Sequence, residues 1–156
     1  WYQHSHIGYN YRMSNIVAGI GRGQLLHIDE HRKLKTDIYN RYKKAFADLP
    51  VEMNPYLECS VPNFWLSCIT VNSEYADKVT PEKIRLALGK ENIESRPIWK
   101  PMHMQPVYAD RDYITVNGDN VGEDIFARGL CLPSDIKMTE EEQERVIKVI
   151  RECFDV

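Results

Sequence analysis

The sequence predicts a small α/β (α+β) sandwich: a short antiparallel or mixed sheet, helices packed on one face, and a long helix at the N-terminal side. Three observations predict it. Apolar residues recur at helical spacing before residue 47 and again in the last twenty residues. Three short β-branched or aromatic runs read as strands. The two kinds of segment alternate as helix–strand–helix–strand–helix–strand–helix, an order that closes as two layers around one core.

Ser14 opens the first helical stretch, with Ile16, Ile20 and Leu26 near helical spacing. Gly19, Gly21 and Gly23 stand among them, each costing a helix interior about 0.5–1 kcal/mol. The stripe predicts either a helix packed so closely that side chains are excluded, or a helix broken near Gly23. Phosphate binding by the stripe is disfavoured, because no strand precedes it and no P-loop lysine follows. A long amphipathic helix is expected over residues 25–47, with Leu34, Ile38, Tyr42 and Phe46 four apart and Leu49-Pro50 ending it. Residues 64–71 (Phe-Trp-Leu-Ser-Cys-Ile-Thr-Val) form the strongest strand. Thr80 then caps a helix with Pro81 at its first position, Ile84, Leu86 and Leu88 on its apolar side and Gly89 at its end. Residues 93–96 make a second strand, and 97–108 a loop rich in Pro, Met and aromatics. A helix over 121–127 and a third strand over 129–133 follow. The capping box Thr139-Glu140-Glu141-Glu142 opens a terminal helix carrying Val146, Ile147, Val149, Ile150 and Phe154.

Composition narrows the class. The chain has 156 residues, 43% hydrophobic and 28% charged, the balance of a soluble globular domain. A net charge of −3 offers nothing to nucleic acid, and the dense basic stretch at Arg41 to Lys44 reads as the wet face of a helix. No apolar run approaches the roughly 20 residues of a membrane span. Trp1 to His6 lacks the basic and apolar regions of a leader. Cys59, Cys68, Cys131 and Cys153 form no C-x-x-C pair, so no metal site is expected; they read as reduced, mostly buried thiols of a cytoplasmic protein. A chain that starts on Trp1, already inside a patterned segment, reads as a piece of a longer protein.

Two segments carry possible chemistry. Gly8-Tyr9-Asn10-Tyr11-Arg12-Met13-Ser14 is either a turn leading into the helix or a binding segment. In residues 94–106 a proline-stiffened loop leaves a strand carrying Arg96, Trp99, Lys100, His103 and Gln105. His103 alone would be a satisfied surface histidine; in this company it is equally a ligand-binding group. An arginine can grip a carboxylate or phosphate with two bonds, and Trp99 can cover a sugar or base face.

Three ordered motifs resemble the DegT/DnrJ/EryC1/StrS sugar aminotransferases. They are Gly8-Tyr9-Asn10-Tyr11-Arg12-Met13-Ser14-Asn15 running into Ile16-Val17-Ala18-Gly19, then Arg96-Pro97-Ile98-Trp99-Lys100-Pro101-Met102-His103-Met104-Gln105-Pro106-Val107-Tyr108, and Gly129-Leu130-Cys131-Leu132-Pro133-Ser134. The likeness is closest to the branch that aminates UDP-linked 4-keto-6-deoxy-N-acetylglucosamine on the route to bacillosamine. It implies the C-terminal small domain of a fold type I, pyridoxal-phosphate-dependent transferase working as a homodimer. Residues 1–24 would connect to a missing large domain, and 25–156 would form the small domain. Asn10 would reach the cofactor phosphate of the neighbouring subunit, with Tyr9 and Arg12 supporting it. Arg96, Trp99, Lys100, His103 and Gln105 would border the site for the nucleotide-linked keto sugar, Arg96 also gripping the amino donor, glutamate. None of the lysines here stands in the family's cofactor-lysine context, so no catalytic residue is assigned and the chain alone is expected to be inactive. Two other readings keep the same motifs: a dehydratase or deoxygenase with histidine in place of that lysine, or a non-enzymatic nucleotide-sugar-binding or regulatory module.

Overall fold

A computed structural model describes residues 5–154; Trp1 to His4, part of the stretch read against a leader, lie outside the described residues, as do Asp155 and Val156. Helix α1 (Asn15–Leu25) begins at Ser14, whose Oγ accepts from the Val17 N–H at 3.3 Å. It continues through all three glycines rather than breaking at Gly23. The break comes instead at Leu26–His27, and α2 (Ile28–Ala45) follows, so the single helix expected over 25–47 is shorter at both ends. A Cβ added at Gly19, Gly21 or Gly23 meets nothing within 4 Å, and no residue of α1 is buried. Within the described residues the stripe therefore packs against nothing.

The four-residue stripe of α2 does face the core: Ile38, Tyr42 and Phe46 are buried and Leu34 is half-buried. The helix stops at Ala45, before Leu49-Pro50, because Phe46 leaves the helical region (φ −107°) and stacks its ring 5.7 Å from that of Tyr42. Strand β1 (Val51–Met53) is too short to leave a pattern and was not expected from the sequence. Strand β2 (Ser67–Val71) starts three residues later than expected. Phe64 sits at φ +47°, a left-handed conformation costing a bulky residue about 1–3 kcal/mol. The turn seats its ring 4.1 Å from that of Tyr39, where burial offsets the strain.

Helix α3 (Pro81–Lys90) is capped by Thr80, whose hydroxyl accepts from the Lys83 N–H at 3.1 Å. Ile84 and Leu88 are fully buried, each contributing roughly 1.5–3 kcal/mol. Leu86, two residues from both, points to the opposite side and is 52% exposed, contrary to its assigned apolar role. Gly89 stays inside the helix; Asn92, at φ +58°, supplies the left-handed stop instead. Strand β3 is only Arg96–Pro97, at the edge, where a missing N–H is tolerated. Helix α4 (Val121–Arg128) runs directly into β4 (Gly129–Leu132). Helix α5 (Glu140–Glu152) carries both bonds of the capping box: Glu142 N–H to Thr139 Oγ1 at 3.2 Å, and Thr139 N–H to Glu142 Oε2 at 2.8 Å.

The sheet order is β1-β2-β4-β3 and every pair is antiparallel. Strand β2 alternates, with Ser67, Ile69 and Val71 buried, and Leu130 and Leu132 of β4 lie beside them on the same face. Ile38 and Tyr42 of α2, Ile84 and Leu88 of α3, and Val146, Ile147 and Ile150 of α5 complete that core. The buried Gln143 ties α5 to α2, donating to the Ile38 carbonyl at 2.9 Å and accepting from Arg41 at 2.7 Å. Arg41, read as part of a wet face, is thus turned inward onto α5, while Lys43 and Lys44 are exposed. The opposite sheet face carries Cys68, Cys131 and Gly129; Ile98 fills the space that a Cβ at Gly129 would need. All four cysteines are free, but Cys59 is exposed and Cys68 only half-buried, so two of the four are buried. No helix among the described residues is long and apolar enough to cross a membrane.

Candidate cofactor and substrate surfaces

The first candidate surface is the extended stretch ahead of α1. Residues 5–14 are exposed throughout. The Tyr9 and Tyr11 rings stack at 5.5 Å with 9° between planes, which leaves Asn10 between them and Arg12 just beyond. Among the described residues, neither the Asn10 amide nor the Arg12 guanidinium has a hydrogen-bond partner or ion pair in the rest of the chain. Exposed, unengaged amide and guanidinium donors suit a phosphate, which accepts through several oxygens. Among the described residues no hydrogen bond or ring contact joins this stretch to the 94–108 loop.

The loop itself divides. Arg96 is 78% exposed and holds Glu94 Oε1 through Nε at 2.8 Å and Nη2 at 2.7 Å. Trp99 is also exposed, its ring tilted 36° and 5.8 Å from that of Trp65. Both residues line an open cleft of about 900 Å³ between β3, the β4–α5 connection and α5. Lys137, Arg145, Glu94, Asp135 and Glu142 line it too, so cationic and anionic groups balance there. An anionic ligand would engage Arg96 only by displacing Glu94.

His103 points elsewhere. Its side chain is 17% exposed, stacks 3.6 Å from the Tyr113 ring, and meets Glu123 Oε1 through Nε2 at 2.7 Å. Asn120 donates to the same Glu123 oxygen at 2.5 Å. The histidine thus fastens the loop to the start of α4. Lys100 and Gln105 fold against each other, the Gln105 amide reaching the Lys100 carbonyl at 3.4 Å, and neither lines the cleft. The five loop residues read together in the sequence therefore lie in two places, with Arg96 and Trp99 at the cleft and His103 beneath the loop.

Several participants were not singled out in the sequence. Lys35, on α2, donates to the carbonyls of Trp65 (3.0 Å) and Ser134, drawing two cleft walls together. Burial lowers its pKa, while nearby Asp135 acts in the opposite sense. Nothing in a surface-looking helix face signals such a bridge. Glu123 and Tyr113 were equally silent, because His103, which they meet, is ten or more residues away; Asn120 joins only through Glu123.

The family model described as the DegT/DnrJ/EryC1/StrS aminotransferase family matches residues 1–151. The chain is 44% identical over 155 residues to a putative pyridoxal phosphate-dependent aminotransferase, EpsN, of Bacillus subtilis, covering 98% of this chain and 39% of that protein. It is 32% identical over 154 residues to a GDP-perosamine synthase of Escherichia coli O157:H7, covering 98% and 40%. A crystal structure of a DegT DnrJ EryC1 StrS aminotransferase from Brucella abortus superposes with a TM-score of 0.83 at 24% identity, covering all of this chain and 40% of that one. The chain thus spans about 40% of the length of the relatives it matches. A family match across nearly the whole chain, carried on the same antiparallel small-domain fold, means that this protein belongs to the DegT/DnrJ/EryC1/StrS aminotransferase family.

Proposed function

We propose that residues 25–156 form the small domain, and 1–24 the connecting segment, of a longer cytoplasmic protein that moves an amino group from glutamate to a nucleotide-linked 4-keto-6-deoxy sugar. The observation that carries this reading is the exposed stretch 8–14, whose Asn10 and Arg12 donors are engaged by nothing else among the described residues. Bound pyridoxal phosphate supplies the electron sink for amino transfer. This chain's part is to bind and orient. Asn10 donates to the cofactor phosphate of the neighbouring copy in a homodimer, and Arg12 adds positive charge beside it. Tyr9 and Tyr11, stacked on each other, stiffen the stretch that presents Asn10. Trp99, with Trp65 beside it, offers an apolar wall to the sugar or base. Arg96 exchanges Glu94 for a carboxylate of the donor or a phosphate of the sugar nucleotide. The His103–Glu123 contact keeps the loop in place, and Lys100 and Gln105, outside the cleft and bonded to each other, would meet only a part of the substrate that extends beyond it.

The relative named as a GDP-perosamine synthase supports a nucleotide-linked sugar, and the resemblance carried by the three motifs supports the UDP-linked 4-keto-6-deoxy-N-acetylglucosamine branch. The deciding experiment incubates the full-length protein with pyridoxal phosphate, glutamate and UDP- or GDP-linked 4-keto-6-deoxy sugars. Formation of 2-oxoglutarate together with an amino sugar is expected. Loss of a sugar hydroxyl without 2-oxoglutarate would replace this reading with the dehydratase one. In the same protein Asn10→Ala should weaken cofactor binding about 10- to 100-fold, the value of a hydrogen bond to a charged group. Unchanged cofactor retention removes the role given to Asn10. The 156-residue chain alone should form no borohydride-reducible adduct with pyridoxal phosphate at a single specific lysine.

A further inference from the structure

Cys68 on β2 and Cys131 on β4 are direct Cα partners across the two central strands. The Cys68 N–H donates to Asn54 Oδ1 at 2.9 Å, and its carbonyl accepts from the Asn54 N–H at 3.0 Å. Both main-chain groups therefore point away from β4. Cys68 and Cys131 are then a non-hydrogen-bonded pair, in which opposed Cα atoms stand about 4.5 Å apart and side chains approach most closely. That spacing falls within the roughly 4.4–6.8 Å that a disulfide requires. The two sulfurs are 3.5 Å apart, and about 1.5 Å of approach would reach bonding distance.

The surroundings favour chemistry at one end of the pair. Cys131 lines the open cleft with Arg96 and Trp99, although it is buried overall while Cys68 is half-buried. The Cys68 thiol donates to the Cys131 sulfur; this contact lowers the Cys131 pKa and raises that of Cys68. A thiolate is the reactive form.

We propose that Cys68 and Cys131 are an oxidative modification site, in which a peroxide in the cleft oxidises Cys131 and Cys68 resolves it to a cross-strand disulfide. The Cys131 thiolate attacks one peroxide oxygen and the O–O bond breaks. Sulfenic acid forms, and the departing hydroxide takes up the proton lost by Cys131 as water. The Cys68 sulfur then attacks that sulfur, the S–O bond breaks, and hydroxide leaves with the Cys68 proton as a second water. The two thiols lose two electrons and the peroxide gains them. The site owes nothing to amino transfer and stands or falls independently of it.

The test uses the 156-residue chain carrying Cys59→Ser, which removes the exposed thiol and leaves three. After one equivalent of hydrogen peroxide, the chain is denatured, its thiols are counted and its peptides mapped. The count should fall from three to one, with a peptide joining Cys68 to Cys131. Adding Cys68→Ser should abolish the crosslink and leave Cys131 as a dimedone-trappable sulfenic acid. Full alkylation of both Cys68 and Cys131 after peroxide, or a crosslink to Cys153 instead, overturns the proposal. The peptide map of the Cys59→Ser chain decides by itself should the second variant fail to fold.

Discussion

Gly129 and Gly19 are the same residue type with opposite meanings. At Gly129 an added Cβ would come within 2.5 Å of both the Ile125 carbonyl oxygen and Ile98 Cγ1. The carbonyl is main chain and cannot yield cheaply, so Gly129→Ala should destabilise the chain by about 1–3 kcal/mol, the usual cost of overpacking. At Gly19 the same methyl meets nothing within 4 Å, inside a helix. Gly19→Ala should therefore leave stability unchanged or raise it by up to about 1 kcal/mol. Urea unfolding of both variants checks the pair, and a Gly129→Ala chain as stable as the parent would contradict the geometry. Phe64 makes a related point: its residue type read as strand, yet the ring's place against Tyr39 holds the backbone at positive φ.

At the scale of elements, the chain shows which local signals survive tertiary packing. The caps at Thr80 and Thr139 and the buried stripe of α2 were legible because they depend on contacts within four residues. Strand ends were not, since pairing partners decide them. Between elements, the Arg151 guanidinium on α5 grips both Asp48 oxygens just after α2, at 2.7 and 2.6 Å. That contact holds the Asp48 carboxyl down at about 2, below its ordinary 3.8. Arg85 and Arg128 lower Glu82 and Asp124 in the same sense. A carboxyl lowered on folding stabilises above its unfolded pKa, and that contribution is lost as pH falls through the folded one. The urea midpoint should therefore drop between about pH 5 and pH 2.5, and less steeply in Asp48→Asn. Equal slopes for the two chains would show that the contact contributes nothing, as some exposed ion pairs do.

Across the whole molecule, α1 is the least covered of the α-helices, with only Ala18 half-buried. Helix α1 buries no residue, leaving Ile16, Ile20 and Leu25 exposed together. An 11-residue helix with three glycines and no packed face is marginal in water. Hydrogen exchange of the chain in isolation should find α1 amides close to unprotected and those of α2 and α5 strongly protected. Protection in α1 matching that in α5 would show that it is stabilised by something besides its own sequence.

How much of the candidate site was readable in advance follows the same division. Local spacing alone marked the two chemistry-bearing stretches, 8–14 and 94–106, and the order of elements marked a small α/β domain; a three-motif resemblance then pointed to the family. These are properties of neighbours along the chain, where spacing is set by covalent geometry. Spacing was silent on the fact that His103 turns to Glu123 while Arg96 and Trp99 stay at the cleft. It was equally silent on the bridge from Lys35 to two cleft walls, and on Cys68 and Cys131, 63 residues apart in sequence, meeting sulfur to sulfur. Those contacts depend on strand register and on which helix faces the sheet. Register is settled by the sum of many weak packing terms across the whole core, which no short stretch of sequence contains.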